Sequence, residues 1–476
     1  MTAISTETKQ LRKSLKYSIL DGSAYSAMLG LTQDYIVPFA LALKATTAQI
    51  GLLSSVPNLT MSLSQLAAPH LVERAGSRKG LILPVVFLHA LMWLPVLLIP
   101  YLFPEQKIWW LIGFFALSTV LGSLGNPAWG SLMADLVPEG MRGRYFGFRG
   151  RICSLATLIF FLVGGVILHF RADNIFFGFC IIFGSAMIFR LASLYFLSKM
   201  YEPPPSNTKK ERHSLQELLK NMGSSNLGRF IIYVSLMNLV TYLASPFFAV
   251  YMLRDLKFDY LTYVAIIATA TLANMTFLTF WGKRADRAGN IRVIKITSVL
   301  IPLVPLLWIG SHELYYLIPV QILSGFAWAG FNLASMNFIY DASVPEKRTQ
   351  YIAAFNALSG TAICIGALSG GYLASRLPSL LGYQLLTLFL ISGLARGLVA
   401  VTLLRHISEV REVPKMSAVE LLFGTTGHVQ LKRRGKQQPA FYPVFSSETS
   451  KVSTTLNLHP AWRHEVTASS RDPPPN

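Results

Sequence analysis

Charge is what this chain has least of. Asp, Glu, Lys and Arg make up 14% of its 476 residues, against about 25% in soluble domains, which argues against a cytosolic enzyme. Cysteine is scarcer still. Cys153, Cys180 and Cys364 lie far apart, each inside an apolar segment, which excludes a disulfide framework and a C-x-x-C metal pair. The nine His form no H-E-x-x-H spacing, and no Walker or G-x-S-x-G motif follows a strand. With no nucleophile, base and orienting group assembled, neither an enzyme nor a cofactor or metal is expected. Acidic residues are few as well, 23 against 42 Lys+Arg, for a net charge of +19. Such a balance raises the question of nucleic acid, but long apolar runs separate the basic residues. Positive loops beside a lipid bilayer are therefore expected, and no nucleic-acid partner.

What the chain has in quantity is apolar length. It is 52% hydrophobic with 30 Phe, 34 Gly and 25 Pro, and its mean hydropathy is +0.46. A spanning helix needs about 20 mostly apolar residues. Twelve stretches qualify, roughly 18–43, 48–72, 80–103, 107–135, 145–170, 174–198, 230–253, 260–281, 292–310, 313–341, 350–376 and 381–404. The fold class expected is an all-α membrane protein of twelve transmembrane helices. Its organisation reads as an N-terminus over 1–17, a six-helix bundle over 18–198, a linker over 199–229, a second bundle over 230–404 and a polar tail over 405–476. Ser214–Met222 in the linker reads as a short amphipathic helix on the membrane surface, and the tail as largely disordered. No small-residue cleavage site follows the first apolar run, so it is expected to stay as a span. Alternate loops, the N-terminus included, carry 24 Lys and Arg; the opposite loops carry six, Lys44, Lys107, Arg171, Arg254, Lys257 and Arg376. The positive-inside rule then places both termini in the cytoplasm.

The two halves repeat. At a shift of 206, Asp135 falls on Asp341, Arg142 on Arg348, Tyr145 on Tyr351, Gly164-Gly165 on Gly370-Gly371 and Arg190 on Arg396. At a shift of 213, Glu73-Arg74-Ala75-Gly76 falls on Asp286-Arg287-Ala288-Gly289. The second of these loops, Gly282-Lys283-Arg284-Ala285-Asp286-Arg287-Ala288-Gly289-Asn290-Ile291-Arg292, resembles the G-x-x-x-D-R-x-G-x-R signature of the major facilitator superfamily. The first-half copy keeps Arg74, Gly76 and Arg78 but has Pro69 for the leading Gly and Glu73 for Asp. The resemblance covers about residues 15–405. It implies two pseudo-symmetric six-helix bundles, as in a bacterial-type twelve-helix permease of the inner membrane, alternating access, and cavity-lining helices 4, 7 and 10. In mechanical terms, Asp286 at the membrane surface is expected to pair with Arg287, Arg292 or a neighbouring helix N-terminus and latch the cytoplasmic side, with Glu73 in the matching place. The alternative is a solvated loop that only sets topology.

Polar residues within apolar spans mark a cavity by default. Asp34 reads as the only carboxylate well inside a span, on a face with Ala27, Gly30 and Pro38. It is a candidate for proton or substrate coupling, or else a partner of Lys44. Asp21 reads as opening helix 1. Stripes at helical spacing are Gly122, Asn126 and Trp129 in helix 4, Ser235, Asn238, Tyr242 and Ser245 in helix 7, and Gln321, Gly325, Trp328, Asn332 and Ser335 in helix 10. They line a solute site or hydrogen-bond between spans. Arg190 and Arg396 bind an anion or pair structurally, Arg149 stays at the interface or faces an acidic solute, and His89 is a core histidine or a relay. The resulting reading is a monomeric secondary transporter that moves a small organic solute with protons. The aromatic, weakly charged site leans that reading toward efflux. A membrane sensor or scaffold using the basic tail (Lys432, Arg433, Arg434, Lys436) is the alternative.

Overall fold

A computed structural model describes residues 2–137, 141–203, 225–343, 348–414 and 420. Among them twelve helical rods run in chain order: α1 (Thr2–Thr32, resumed as Ile36–Ala42), α2 (Thr47–Ala75), α3 (Arg78–Leu91 and Trp93–Leu102), α4 (Lys107–Leu124 and Asn126–Leu136), α5 (Arg142–Phe170) and α6 (Ile175–Ser198). The second set is α7 (Asn226–Tyr242, with Phe247–Val250 and Tyr251–Asp255), α8 (Tyr260–Ala288), α9 (Asn290–Leu307), α10 (Leu314–Ala342), α11 (Arg348–Ala374) and α12 (Gln384–Leu403). Among the described residues there is no strand, and Leu380 and Tyr383 make an isolated bridge. Ten of these helices, α3 to α12, are long and apolar enough to cross a membrane. The exceptions are α1, which begins in a polar stretch and breaks at 33–35, and α2, which carries Ser54, Ser55, Asn58 and Ser64. The helix of α1 starts at Thr2, sixteen residues before the expected onset of the apolar run. The region 214–222, where a surface helix is expected, lies outside the described residues.

Polar side chains start the rods where the sequence places them. Thr46 and Gln49 form a reciprocal box at the head of α2, while Asn174, Ser225 and Asp259 accept backbone N–H groups at the heads of α6, α7 and α8. Each cap is worth about 0.5–2 kcal/mol. Lateral cohesion comes from close packing, since lipid tails compete with any purely apolar contact. On the side of α1, Tyr35 and Phe39 pack with Phe161, Phe179 and Phe183, and the Tyr35 hydroxyl donates to the Phe161 carbonyl.

The repeat is physical. Gly164 of α5 receives the Tyr35 ring from α1, and Gly370 of α11 receives the Phe247 ring from α7. The next glycine in each pair meets the other half. A Cβ on Gly165 would stand 2.6 Å from Val264 of α8, and one on Gly371 would stand 3.1 Å from the Gly51 Cα of α2. Val264 follows Gly51 by 213 residues, so the two crossings are related by the same shift that relates the signature loops. Polar contacts join the halves at this same end, away from the chain termini. The Tyr263 hydroxyl donates to the Asp34 carbonyl at 2.8 Å, Arg254 Nη1 donates to Thr47 Oγ1 at 2.9 Å, and His169 Nδ1 lies 3.4 Å from Asp259 Oδ2. The seam between the halves is thus held at the termini-distal end.

Candidate functional site

A cavity of about 150 Å³ lies among α1, α3, α4, α5 and α6, with Asp21, Tyr25, Asn126, Trp129, Arg149 and Arg190 as its polar and aromatic walls. Asp21 sits well along α1 because that helix begins at Thr2, and it is 5% exposed. It accepts a hydrogen bond from Ser193 Oγ at 2.6 Å, and Arg149 Nη2 stands 3.9 Å from its Oδ2. Arg190, 6% exposed, donates from Nε to His89 Nδ1 at 3.1 Å and from Nη1 to Ser193 Oγ at 3.1 Å. Because His89 Nδ1 accepts, that nitrogen carries no proton. The Arg190 guanidinium lies 4.5 Å over the Tyr25 ring, and the Arg149 guanidinium 4.5 Å over the Trp129 ring. Arg149 is fixed further by its Nε donating to the Ser18 carbonyl at 3.1 Å, and Gly22 leaves room for it, since a Cβ there would collide with Nη2. The Trp129 indole N–H is buried near Asp21 but makes no hydrogen bond of acceptable geometry.

Such a cluster is costly in lipid. An Arg, Lys or Asp at mid-span costs about 2.5–3.5 kcal/mol on insertion scales, and pairing and hydration offset that cost. The matching arginine of the second half is handled differently. Arg396 donates to Ser392 Oγ at 3.1 Å, to the Ile301 carbonyl at 3.5 Å and to the Thr241 carbonyl at 3.3 Å, and does not line this cavity.

The sequence-derived residues divide. Asn126 and Trp129 do line the cavity. Asp34 does not, and its expected helical face is interrupted: α1 stops at Thr32 and resumes at Ile36, leaving Asp34 in the turn between, open to solvent. Its carboxylate acts electrostatically on Tyr35, Tyr242 and Tyr263, so Tyr242 of α7 shares its surroundings. No Asp34–Lys44 ion pair exists among the described residues. Gln321 turns into helix packing, donating to the Ile266 carbonyl at 3.4 Å. Trp328 stands edge-on to Phe331 with centroids 5.5 Å apart, Asn332 is exposed and Asn238 half-buried, and none of the three lines the cavity. Asp21, Arg149, Arg190 and Tyr25 are the residues that sequence reasoning underweighted. Their signal was present in the i, i+4 pair Asp21–Tyr25 and the i, i+3 pair Arg190–Ser193 on facing helices.

The termini-proximal ends carry a second charged assembly, also repeated. Arg78, at the head of α3, pairs with Asp135 of α4, and its backbone N–H donates to Glu202 Oε1 at 2.7 Å. In the other half, Asn290 Nδ2 donates to Asp341 Oδ2 of α10 at 2.7 Å, and the Ile291 N–H donates to Glu409 Oε2 at 2.8 Å. Arg411 Nε lies 3.2 Å from Asp341, and Arg292 Nη1 donates to the Pro414 carbonyl at 2.6 Å. The glycines that turn the two loops, Gly76 and Gly289, have φ of 67° and 92°; at Gly289 a Cβ would also strike Glu409. Expectation and structure differ on the acid that pairs. Asp286 projects to solvent from the last turn of α8, with no ion pair among the described residues; Glu409 takes the helix N-terminus expected of it, Asp341 holds Asn290 and Arg411 instead, and each assembly stays within its own half. Gly282 is half-buried beside Leu333 and Arg74 is exposed, Arg287 is half-buried, and the Glu73 side chain lies outside the described residues.

A family profile matches residues 19–301 and again 230–463, and its family is the Major Facilitator Superfamily. The chain belongs to that family. Solved structures agree on the fold. The nucleoside transporter NupG superposes with a TM-score of 0.62 at 14% identity, over 83% of this chain and 98% of that one. The xylose transporter XylE from E. coli, partially occluded and inward open, gives 0.60 at 13% identity over 86% and 100%. A bacterial homologue of the human lysosomal transporter Spinster, inward-facing and unoccupied, gives 0.57 at 14% over 84% and 95%. No curated protein matches the chain in sequence. As a major facilitator protein the chain is an integral membrane transporter. The second-half loop that resembles the family signature, Gly282 to Arg292, is seated here by Glu409 and Asp341.

Proposed function

We propose that this major facilitator protein moves a small organic solute by alternating access, coupled to protons, with the cavity around Asp21 as the solute site. The observation that carries the reading is a polar cavity in one six-helix half, walled by an acid, two arginines and a tryptophan, in a chain whose halves meet through glycine crossings at the termini-distal end. Opening and re-forming that seam as the halves rock exposes the cavity to one side and then the other. NupG and XylE, with the same fold, carry a nucleoside and xylose, which supports a small organic solute. The protein is placed in the plasma membrane of a bacterium, as a monomer with both termini in the cytoplasm.

Coupling is assigned to the acids of α1. Asp21 is preferred because it lines the cavity and faces both guanidiniums. Asp34 is the second reading, since it lies open to solvent beside Tyr242 and the cross-half Tyr263 contact. The cavity is aromatic, with Tyr25 and Trp129, which favours efflux, but it also carries three charged side chains, which do not; direction is left to the gradients. The scaffold alternative rests on a tail in which 415–419 and 421–476 lie outside the described residues.

The test is proton movement in proteoliposomes loaded with a pH-indicating dye and challenged with nucleosides, sugars and organic acids. At least one solute is expected to shift lumen pH faster than in protein-free vesicles, with the shift lost in Asp21→Asn and kept in Asp34→Asn. The reverse pattern moves coupling to Asp34. Solute flux without any pH change refutes proton coupling.

A further inference from the structure

The charges on the cavity walls do not balance. Among the described residues, Asp21 is the one carboxylate lining the cavity, against the guanidiniums of Arg149 and Arg190; His89, accepting at Nδ1, adds none in this arrangement. The walls carry one positive charge more than they carry negative. An unmatched charge at this depth is unfavourable, and a counter-ion from outside the chain relieves it.

Hydrogen-bonding capacity points the same way. A guanidinium has five N–H donors and no acceptor. Arg190 uses two nitrogens, on His89 and Ser193, leaving Nη2. Arg149 uses Nε on Ser18, and its Nη2 lies 3.9 Å from Asp21, beyond hydrogen-bond reach. The buried Trp129 indole N–H lies near Asp21 without a hydrogen bond of acceptable geometry. Most of these unused groups are donors, and an acceptor-only anion with two oxygens in a plane satisfies them, a fork of donors meeting a carboxylate bidentately; the Asn126 amide, also in the wall, can turn its NH2 to the same anion. The aromatic faces of Tyr25 and Trp129 are already covered by the arginines. The apolar part of the wall comes from Ile82, Val86 and Leu121. At about 150 Å³ the space is well below the ~300–1,000 Å³ of drug-sized sites.

We infer that the transported solute is a small organic monocarboxylate. Its carboxylate docks on Arg149, Arg190 and the Trp129 N–H, and its apolar body lies against Ile82, Val86 and Leu121. This rests on the reading of the cavity as the solute site. Asp21 then acts as the internal competitor: it draws on the same two guanidiniums, so removing its charge strengthens the pull on the solute. That sign is opposite to what a merely structural aspartate gives, whose loss weakens binding.

The experiment is calorimetric titration of the full chain, purified in detergent, with acetate, butyrate and benzoate, each beside its primary amide. At least one acid is expected to bind while its amide does not. Arg149→Gln is expected to weaken that acid by about tenfold or more, the worth of a hydrogen bond to a charged group. Arg190→Lys, which keeps the charge but loses the fork, is the folding-tolerant variant at the second arginine and weakens it less. Asp21→Asn is expected to tighten it. The inference is overturned if an amide binds as well as its acid, if Arg149→Gln leaves affinity unchanged, or if Asp21→Asn weakens binding. If none of the acids binds while a neutral solute crosses proteoliposomes, the carboxylate assignment falls and transport stands; if nothing binds and nothing crosses, both fall.

Discussion

Asp259 works in two places at once. Its Oδ1 accepts the Thr262 N–H at 3.2 Å and so heads α8, and its Oδ2 faces His169 of α5 across the seam at 3.4 Å. Partial burial pulls its carboxyl upward, but the Thr262 hydroxyl and N–H together with His169 outweigh that and hold it below the usual carboxylate range. A carboxyl that is more acidic when folded stabilises the fold above its unfolded value, about 3.9, and loses that contribution as pH falls through the folded value. Asp259→Asn is therefore expected to lower the melting temperature at pH 7 and at pH 5 alike, with the difference from wild type closing below about pH 4. A difference that vanishes already between pH 7 and 5 would contradict this, because a carboxyl held below its usual range stays ionised throughout that interval. The same habit of asking what a carboxylate touches separates Asp21 from Asp34. Spacing made Asp34 the deeper acid, because the apolar run begins at residue 18 and Asp21 looked terminal. The helix in fact begins at Thr2 and breaks at 33–35, which puts Asp21 inside and Asp34 in a turn. Hydropathy finds where a span is apolar, not where its helix starts, so this depth was not legible.

Helices α3 and α9 begin alike, each with its first N–H groups held by a glutamate from beyond the sixth helix of its half, Glu202 and Glu409. Orphan amides at a helix head favour such a carboxylate on both hydrogen-bonding and dipole grounds. Residues 404–414 thereby become a strap over the signature loop, tied by Glu409, by Arg411 to Asp341 and by Pro414 to Arg292. Glu409→Gln is expected to loosen the strap at a cost of about 0.5–2 kcal/mol for the weakened cap, and Asp341→Asn to loosen it by removing the charge that holds Arg411. Hydrogen exchange would then quicken over 404–414 and the first turn of α9, while α3 and its Glu202 stay unchanged. Equal quickening in both halves would contradict the separateness of the two assemblies. The sequence made the loops, their glycines and the 206-residue alignment of Asp135 with Asp341 visible. It did not reveal that Asp341 and Glu409, rather than Asp286, hold the loop, because partners 50 to 120 residues away leave no local spacing to read.

In the molecule as a whole, the two halves are one design used twice. Gly164 and Gly370 receive aromatic rings within their halves; Gly165 and Gly371 meet the opposite half. The glycine pairs were evident as a repeat, but which glycine faces which half depends on the helix crossings. These crossings are expected to part as the termini-proximal ends close, and to re-form as those ends separate. Distances between spin labels on α5 and α8 near His169 and Asp259, and between labels at the other ends of the same helices, test this most directly in a protein whose three cysteines have been replaced. With a transported solute, the account predicts two distance populations at each end that shift in opposite directions. A single population at both ends, unmoved by solute or pH, would contradict alternating access.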